Sequence, residues 1–217
     1  MKPLALPGVY APQDDTSLLV GALSDEPLAP GARVLDIGTG TGALALAAAR
    51  RGSRVTAVDV SRRAVCSARV NARLAGLSVR IVRGNLFAPV AGQSFDLILA
   101  NPPYVPAPDP QLPPRGPARA WDAGHDGRLV LDRICHGAPR RLRPGGVLLM
   151  VHSALSGTEP TLKRLRASGL KAAVTERRWV DFGPVLRERE KWLRERGLLS
   201  AHEEKEELVV IRAERPV

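Results

Sequence analysis

The amino-acid sequence predicts an α/β fold in which helices cover both faces of a mostly parallel sheet. Short runs rich in valine, isoleucine and leucine, typical of buried strands, alternate with longer stretches of helical periodicity. Two predicted strands lead into turns of unusual composition, a glycine-rich turn at 38–42 and Asn-Pro-Pro-Tyr at 101–104. Because open sheets of this class bind ligands beyond the carboxyl ends of their strands, both turns are candidate functional positions.

The first half of the chain contains four predicted strands and three predicted helices. Ser61 is expected to cap the third helix, because its hydroxyl can accept a hydrogen bond from a free helix amide, and Gly76 is expected to end that helix. The predicted elements are a helix capped by Asp14 or Asp15 that runs through Leu23, a strand at 33–37, a helix to Arg51, a strand to Val58, the helix after Ser61, and strands at 79–82 and 95–100.

The second half begins with a proline-rich loop between Pro106 and Pro117, where regular structure is disfavoured. The predicted elements after this loop are a helix that follows Asp126 and runs through Leu142, a turn at 144–146, a strand at 147–152, a helix near 159–167, and a hairpin of 170–180 with 207–212. The hairpin would complete the sheet.

The glycine-rich turn follows the first predicted strand and precedes a helical run of alanine and leucine. Its glycines allow a tight turn and a close approach of the backbone to a ligand. The spacing is Gly-x-Gly-x-Gly rather than Gly-x-Gly-x-x-Gly, so this turn alone is a weak signal. The second strand runs into Asp59, which suits the two hydroxyls of a ribose, although it could instead serve the start of the helix at Ser61.

The turn at 101–104 is the more informative of the two. Two consecutive prolines cannot continue a sheet ladder, so the chain must turn after Asn101. An amide oxygen, a rigid backbone carbonyl and a flat ring at a strand end can together hold a planar NH2 group. The alternative is a proline-rich turn without a chemical role.

The glycine turn, the acid after the second strand and Asn-Pro-Pro-Tyr after the fourth strand, in this order, resemble the class I S-adenosylmethionine-dependent methyltransferases. The resemblance implies a Rossmann-like fold with seven strands, the seventh antiparallel, and S-adenosyl-L-methionine as cofactor. In that family, Asn-Pro-Pro-Tyr marks the branch that methylates planar or conjugated nitrogen, on glutamine side chains or on nucleobase amines.

Two further stretches, 8–19 and 120–133, resemble the short release-factor glutamine methyltransferases of the eukaryotic and archaeal type. The implied substrate is the glutamine of a Gly-Gly-Gln motif in a translation release factor, and a small zinc-binding activator subunit is a candidate partner. The implied organisation is a single methyltransferase domain over 1–217, with an N-terminal segment and helix at 1–30, a cofactor-binding core at 31–152, and C-terminal helices and last strands at 153–217.

The resemblance places the chemistry in the turn after the fourth strand. The side-chain oxygen of Asn101 and the carbonyl of Pro102 would accept the two N–H bonds of a carboxamide, and Tyr104 would stack on its plane. Pro103 and Trp121 would shape the substrate side of the site, with plain loop packing as the alternative for Trp121. No metal is expected.

The resemblance also implies the cofactor contacts. Gly38 and Gly40 would approach the methionine moiety through their backbone, and Asp36 would orient that turn or meet the methionine amine. The other implied contacts are Asp59 with the ribose, Asn85 and Leu86 with the adenine, Thr16 near the methionine carboxylate, and Asn101. Position 85 is more often aspartate in the family, but an asparagine oxygen can still accept a bond from the adenine amine. Helix capping is the alternative for Thr16.

The formal net charge of +10 favours acidic partners. The alternative interpretation of this charge is an ordinary solvated surface. The first alternative function is a nucleic-acid adenine or cytosine amino methyltransferase, which shares Asn-Pro-Pro-Tyr and suits the basic charge. Against it, the sequence has no evident target-recognition domain, and aromatic residues, on which bases could stack, make up only 4%. Further alternatives are a small-molecule tailoring methyltransferase and a non-catalytic binding module, the latter opposed by the intact Asn101 and glycine turn.

Composition limits the remaining classes. No apolar run approaches the ~20 residues of a membrane span, and the first residues lack the apolar core of a signal peptide, so a cytoplasmic location is the default expectation. Cys66 and Cys135 fall on different predicted helices, which favours free thiols over a disulfide or a zinc site.

One stretch, 181–201, departs from the family pattern because it inserts a charged helix before the last strand. Leu186, Trp192 and Leu193 give this helix a narrow apolar stripe, and Glu190 and Arg194 are spaced for an ion pair one turn apart. The helix could lie on the sheet edge. The alternative is a docking surface for a protein substrate or a partner.

Overall fold

The computed structural model describes residues 3–217, which form seven strands in a single sheet with the order β3-β2-β1-β4-β5-β7-β6. The strands are β1 (Arg33–Ile37), β2 (Arg54–Asp59), β3 (Val79–Arg83), β4 (Phe95–Ala100), β5 (Leu142–Ser153), β6 (Lys171–Asp181) and β7 (Lys205–Glu214). The first five strands pair in parallel, whereas β7 is antiparallel to both β5 and β6. The predicted seven-stranded, mostly parallel sheet with an antiparallel seventh strand is confirmed.

Six α-helices connect or flank these strands. They are α1 (Asp14–Asp25), α2 (Ala43–Arg50), α3 (Arg62–Leu74), α4 (Leu131–Gly137), α5 (Thr158–Ala167) and α6 (Pro184–Glu195). The chain leaves β1 towards β2 in one direction and towards β4 and β5 in the other. Because crossovers between parallel strands are right-handed, this reversal places the connecting helices on opposite faces of the sheet.

The core is centred on β1 and β4. The burial pattern of β4 has only Asp96 partly exposed, and Leu97, Ile98 and Leu99 have no exposed surface. Strands covered on both faces read as continuous apolar runs, which is why these two were predictable from sequence. Ser61 caps α3 as predicted, since its hydroxyl accepts a hydrogen bond from the Ala64 amide at 3.3 Å.

Both predicted bounds of the helix after the proline-rich loop are wrong, and α4 begins at Leu131 rather than directly after Asp126. The helix after the proline-rich loop ends at Gly137 rather than Leu142, because Gly137 and Pro139 interrupt it and Leu142 already pairs with Phe95. Strand β5 therefore begins at Leu142 and includes the predicted turn at 144–146, which lies in a register shift between Phe95 and Leu97.

The predicted cap of the first helix is also wrong. Asp14 and Asp15 lie inside the first turn of α1, the N-cap residue is Gln13, and no side chain caps this helix end. The carboxylate of Asp15 binds side chains from elsewhere in the chain instead. The first helix also continues two residues past Leu23, to Asp25.

The C-terminal insertion forms α6, and its predicted ion pair is present, with 2.7 Å between Arg194 Nη2 and Glu190 Oε1. Leu186 and Leu193 of the predicted stripe are buried in the core. Cys66 is exposed on α3 and Cys135 is buried on α4, as their separate helices predicted. Within residues 3–217, no helix combines the length and hydropathy of a bilayer-crossing segment.

Candidate functional site

The two candidate turns meet at the point where the sheet changes its winding direction. β1 pairs with β2 on one side and with β4 on the other, so the turns after β1 and β4 lie side by side. A Cβ placed on Gly38 would lie 3.7 Å from the Asn101 backbone oxygen. Both turns line one cavity of about 680 Å³, which is the expected ligand position in an open α/β sheet.

The glycine turn is held in place by Asp36. This side chain has no exposed surface, and its Oδ2 accepts hydrogen bonds from the Thr39 hydroxyl at 2.6 Å and the Ala45 amide at 3.1 Å. Burial raises the pKa of Asp36 to about 7. Gly38 has φ +72°, a backbone conformation that favours glycine. Asp36 thus orients the turn, one of its two predicted roles.

Asp59 lies at the cavity wall beside the glycine turn. Its Oδ2 accepts a hydrogen bond from the Gly40 amide at 2.9 Å, and its Oδ1 accepts one from the Ser61 amide at 2.8 Å. Burial is the main cause that raises the pKa of Asp59. The carboxylate therefore serves the start of α3, the structural role considered from sequence, and also faces the cavity.

Asn85 and Leu86 follow β3 and line the same cavity. The Asn85 side-chain oxygen accepts a hydrogen bond from Arg133 Nη2 at 3.1 Å, so the predicted adenine acceptor already has a partner. Leu86 has φ +47° and is the one residue other than glycine with positive φ in the described part of the chain. Such conformations are strained for branched side chains and often occur at binding sites.

Asn101 is oriented by a residue far away in sequence. Its Nδ2 donates to the Thr16 hydroxyl at 3.3 Å, and both residues line the cavity together with Pro102 and Pro103. Because the amide nitrogen is bound to Thr16, the amide oxygen is the group left to accept a hydrogen bond from a ligand. The structure therefore brings Thr16, Asn101 and the two prolines together, as predicted.

Tyr104 and Trp121 lie outside the cavity lining. Tyr104 is only 9% exposed, and its hydroxyl donates to Asp15 Oδ2 at 3.2 Å. Burial is the first cause, and the charge of Asp15 the second, that raise the pKa of Tyr104. Trp121 packs half-buried against the hydrophobic core, while the neighbouring Arg119 and Ala120 line the cavity. This position fits the loop-packing alternative for Trp121.

Asp15 is a central residue of the site that the sequence prediction missed. Its carboxylate accepts hydrogen bonds from the hydroxyls of Tyr104 and Tyr10 and, at 3.2 Å, from the hydroxyl of Thr16, which in turn binds Asn101. It therefore joins α1 to the turn after β4. The available signal was the clustering of Tyr10, Asp15 and Thr16 in one short stretch, but Asn101 and Tyr104, which bind Thr16 and Asp15, lie 85 to 89 residues away.

An N-terminal strap, residues 3–12, forms one wall of the cavity without a helix or strand of its own. The Leu4 amide donates to Asn71 Oδ1 at 2.8 Å, and the Leu6 amide donates to the Ser67 hydroxyl at 3.0 Å. Both acceptors lie on α3. Gly8, Val9, Tyr10 and Pro12 of the strap line the cavity.

Arginine dominates the charge of the cavity lining, in which Asp59 is the single acidic residue among those described. The lining arginines are Arg62, Arg63, Arg83, Arg115, Arg119 and Arg133. Within residues 3–217, no group of three histidine, cysteine, aspartate or glutamate side chains could hold a metal ion. The site thus combines backbone donors, one amide oxygen and a positive rim.

A sequence profile described as the methyltransferase small domain matches residues 2–110, half of the chain. A protein from Methanocaldococcus jannaschii that carries the provisional name protein N5-glutamine methyltransferase is 36% identical, over 83% of this chain and 90% of its own length. The chain belongs to this methyltransferase family.

Two further similar proteins act on translation release factors, according to their names. The release factor glutamine methyltransferase of Gloeobacter violaceus is 40% identical over 74% of this chain but only 59% of its own length, so the chain spans little more than half of that bacterial enzyme. A chain from the E. cuniculi Mtq2–Trm112 complex, which methylates the eRF1 translation termination factor, superposes with a TM-score of 0.67. It is 25% identical and covers 96% of this chain and 99% of its own.

Glu206 of β7 is another buried acid near this site, and only 8% of its surface is exposed. Burial is the main cause that raises the pKa of Glu206 from 4.5 to about 7, and the charge of Asp15 contributes a smaller increase. A hydrogen bond with the Ser153 side chain partly opposes this by lowering the pKa. An acid with a raised pKa makes the folded protein bind more protons than the unfolded chain between those values. Stability contributed by the neutral carboxyl is therefore lost as the pH rises from about 4.5 to about 7.

We expect Glu206→Gln to remove this pH dependence. Between pH 4.5 and pH 7 the wild type should lose roughly 3 kcal/mol more folding free energy than the variant, because each unit of pKa shift corresponds to about 1.4 kcal/mol. Urea unfolding of both proteins at several pH values measures this difference. Glu204→Gln is the control, since Glu204 is exposed. Parallel pH profiles for the wild type and Glu206→Gln would contradict the assignment.

Proposed function

We propose that the chain is an S-adenosylmethionine-dependent N-methyltransferase that methylates the side-chain amide of the glutamine in a Gly-Gly-Gln motif of a translation release factor. The observation that carries the proposal is the Asn101 amide, whose nitrogen is bound to Thr16 so that its oxygen is available to the cavity. The names of the relatives support the same acceptor.

The residues around the cavity fit the cofactor. Glycines at 38 and 40 allow close backbone approach, and Asp59 faces the cavity where a ribose would need an acceptor for its hydroxyls. We propose that Thr16 and Asp36 serve the methionine end and Asn85 and Leu86 the adenine end. When bound, the cofactor supplies an activated methyl group on a sulfonium ion.

The chain's own residues would position the acceptor nitrogen. A carboxamide nitrogen is a poor nucleophile because its lone pair is delocalised into the carbonyl group. Acceptance of its two N–H bonds by the Asn101 oxygen and the Pro102 carbonyl would fix the nitrogen and direct the lone pair towards the methyl group. Tyr104 was expected to stack on the substrate plane, but its ring is buried outside the cavity lining, so it would instead support the turn, with its hydroxyl bound to Asp15. Pro103 would complete the wall on this side, and Trp121 would support it from the loop.

No residue needs to remove a proton before methyl transfer. The nitrogen becomes positively charged as it accepts the methyl group and then loses a proton readily to water.

We further propose that an activator subunit, if one is required, pairs with the β3 edge of the sheet. β3 pairs only with β2, and the adjacent helix α3 exposes Leu74 and Val70 at 62% and 36%. An edge strand without a second neighbour, beside exposed apolar side chains of a helix, is a surface that a partner can cover. The E. cuniculi relative supports the presence of a second subunit, because its structure is a complex of two proteins.

The test is transfer of radiolabelled methyl from S-adenosylmethionine to a purified release factor, beside the same factor with its Gly-Gly-Gln glutamine replaced by alanine. We expect label on the wild-type factor alone. Label on both factors, or on neither when the cofactor binds and an activator is supplied, would contradict the glutamine acceptor. Activity of the purified chain alone would exclude an obligatory activator.

The arginine-rich lining favours one second candidate, a nucleic-acid amino methyltransferase. The same assay on total RNA and DNA distinguishes the two. Label in nucleic acid and none in the release factor would support this second candidate.

A further inference from the structure

The insertion between β6 and β7 directs its apolar side chains into the protein. Phe182, Leu186, Leu193 and Leu199 are each at most 5% exposed, and Trp192 packs half-buried against the same core. The stripe seen in the sequence is therefore occupied by the chain itself. The role of α6 is therefore inferred from its contacts with the rest of the chain.

Arg189 lies on the buried side of α6, three residues after Leu186 and four before Leu193. Its Nη1 donates to the Pro106 carbonyl at 3.1 Å. The same nitrogen lies 2.7 Å from Asp122 Oδ1, an ion-pair distance, although the angle is not that of a hydrogen bond. The two side chains are only 17% and 11% exposed, so solvent screens this pair weakly.

Pro106 and Asp122 belong to two segments that pair in a short backbone ladder, which begins directly after Tyr104. The Val105 amide donates to the Trp121 carbonyl at 2.8 Å, and the Ala123 amide donates to the Val105 carbonyl at 3.0 Å. The Ala107 amide donates to the Gly124 carbonyl at 2.8 Å. The ladder thus joins the segment after the Asn-Pro-Pro-Tyr turn to the loop at 121–124.

Proline prevents the segment from pairing with a strand on the side away from this ladder. Val105 and Ala107 make the ladder, whereas Pro106 and Pro108, at the alternate positions, have no amide hydrogen to donate on the opposite side. A side chain that binds the Pro106 carbonyl on that side and also reaches Asp122 adds a second connection between the two halves of the ladder. Arg189 does so from a helix that is itself anchored in the core.

We propose that Arg189 is a positioning residue that holds the catalytic turn in place through Pro106 and Asp122. The proposal rests on the proposed function, since it assigns the reaction to the turn at 101–104. It replaces the docking interpretation of the insertion, because α6 binds the chain's own loop.

Two variants test the proposal, Arg189→Gln and Asp122→Asn, with Arg187→Gln as the matched control because Arg187 is exposed on the same helix. In hydrogen exchange, we expect both variants to speed exchange of the Val105, Ala107 and Ala123 amides about tenfold, and the control to leave it unchanged. We expect kcat to fall about tenfold in Arg189→Gln, cofactor affinity to stay within about twofold, and Arg189→Lys to restore part of the loss.

Two outcomes of the exchange measurement would contradict the proposal. Unchanged exchange of these three amides in both variants would overturn it, and so would exchange that rises equally across the whole sheet. If the wild type methylates no release factor, the proposed function fails, but the exchange measurement still decides whether Arg189 holds the ladder.

Discussion

Asn101→Ala should lower kcat for methyl transfer by about 10²- to 10³-fold and leave the Kd for S-adenosylmethionine within about threefold of the wild-type value. The reason is that the amide oxygen would act on the acceptor nitrogen only as the reaction proceeds. The main chain of the turn is fixed independently, by the prolines and by the ladder after Tyr104. Labelled methyl transfer gives kcat, and calorimetry gives the cofactor Kd.

Thr16 provides the matched controls for this experiment. Thr16→Ser keeps the hydroxyl that accepts the hydrogen bond from Asn101, so its kcat should stay near the wild-type value. Thr16→Val removes that hydroxyl, lets the amide rotate, and should lower kcat by about tenfold. A loss of cofactor binding in Asn101→Ala that matches its loss of activity would show a structural role for Asn101 instead.

Asp59→Ala should have the opposite profile, raising the cofactor Kd by about 10²-fold while kcat at saturating cofactor changes only a few-fold. Hydrogen bonds to a charged group contribute about 1.5–3 kcal/mol each, and this carboxylate would accept two from the ribose. The change also removes the acceptors of the Gly40 and Ser61 amides, so the turn after β1 loses part of its support.

Calorimetric titration of the cofactor, with thermal unfolding to check the fold, measures this effect. Asp25→Ala is the control, because Asp25 is exposed at the end of α1. An unchanged cofactor Kd together with a reduced kcat would rule out a ribose contact and assign Asp59 to the substrate side.

Local patterns were sufficient to predict the sheet and both candidate turns. β1 and β4 are mostly apolar, and the glycine and proline turns that follow them are visible within a few residues. The end of α4 was not predicted, because Leu142 is as compatible with a helix as with a strand. Its pairing with Phe95 decides between them, and that partner is 47 residues away.

In the candidate site, too, local motifs predicted some residues, and contacts between distant residues determined others. The backbone positions of Gly38, Asn101 and Pro102 followed from the motifs, and the structure places them in one cavity. Asp15 was interpreted as a helix cap because an acid at a helix start usually has that role. Its binding to Tyr104 depends on how α1 packs beside the turn after β4, which no local pattern contains.

The N-terminal strap forms one wall of the cavity but is not part of the sheet that stabilises the fold. The strap is attached to α3 by its Leu4 and Leu6 amides, which donate to Asn71 and Ser67, and to α1 by the Tyr10 hydroxyl, which donates to Asp15; it contributes no strand to the sheet. It can therefore be displaced without breaking a sheet ladder, so passage of a small molecule past it would require no unfolding of the core. Changes in residues 3–12 should alter how fast small molecules enter and leave, a kinetic property that equilibrium stability measurements would not detect.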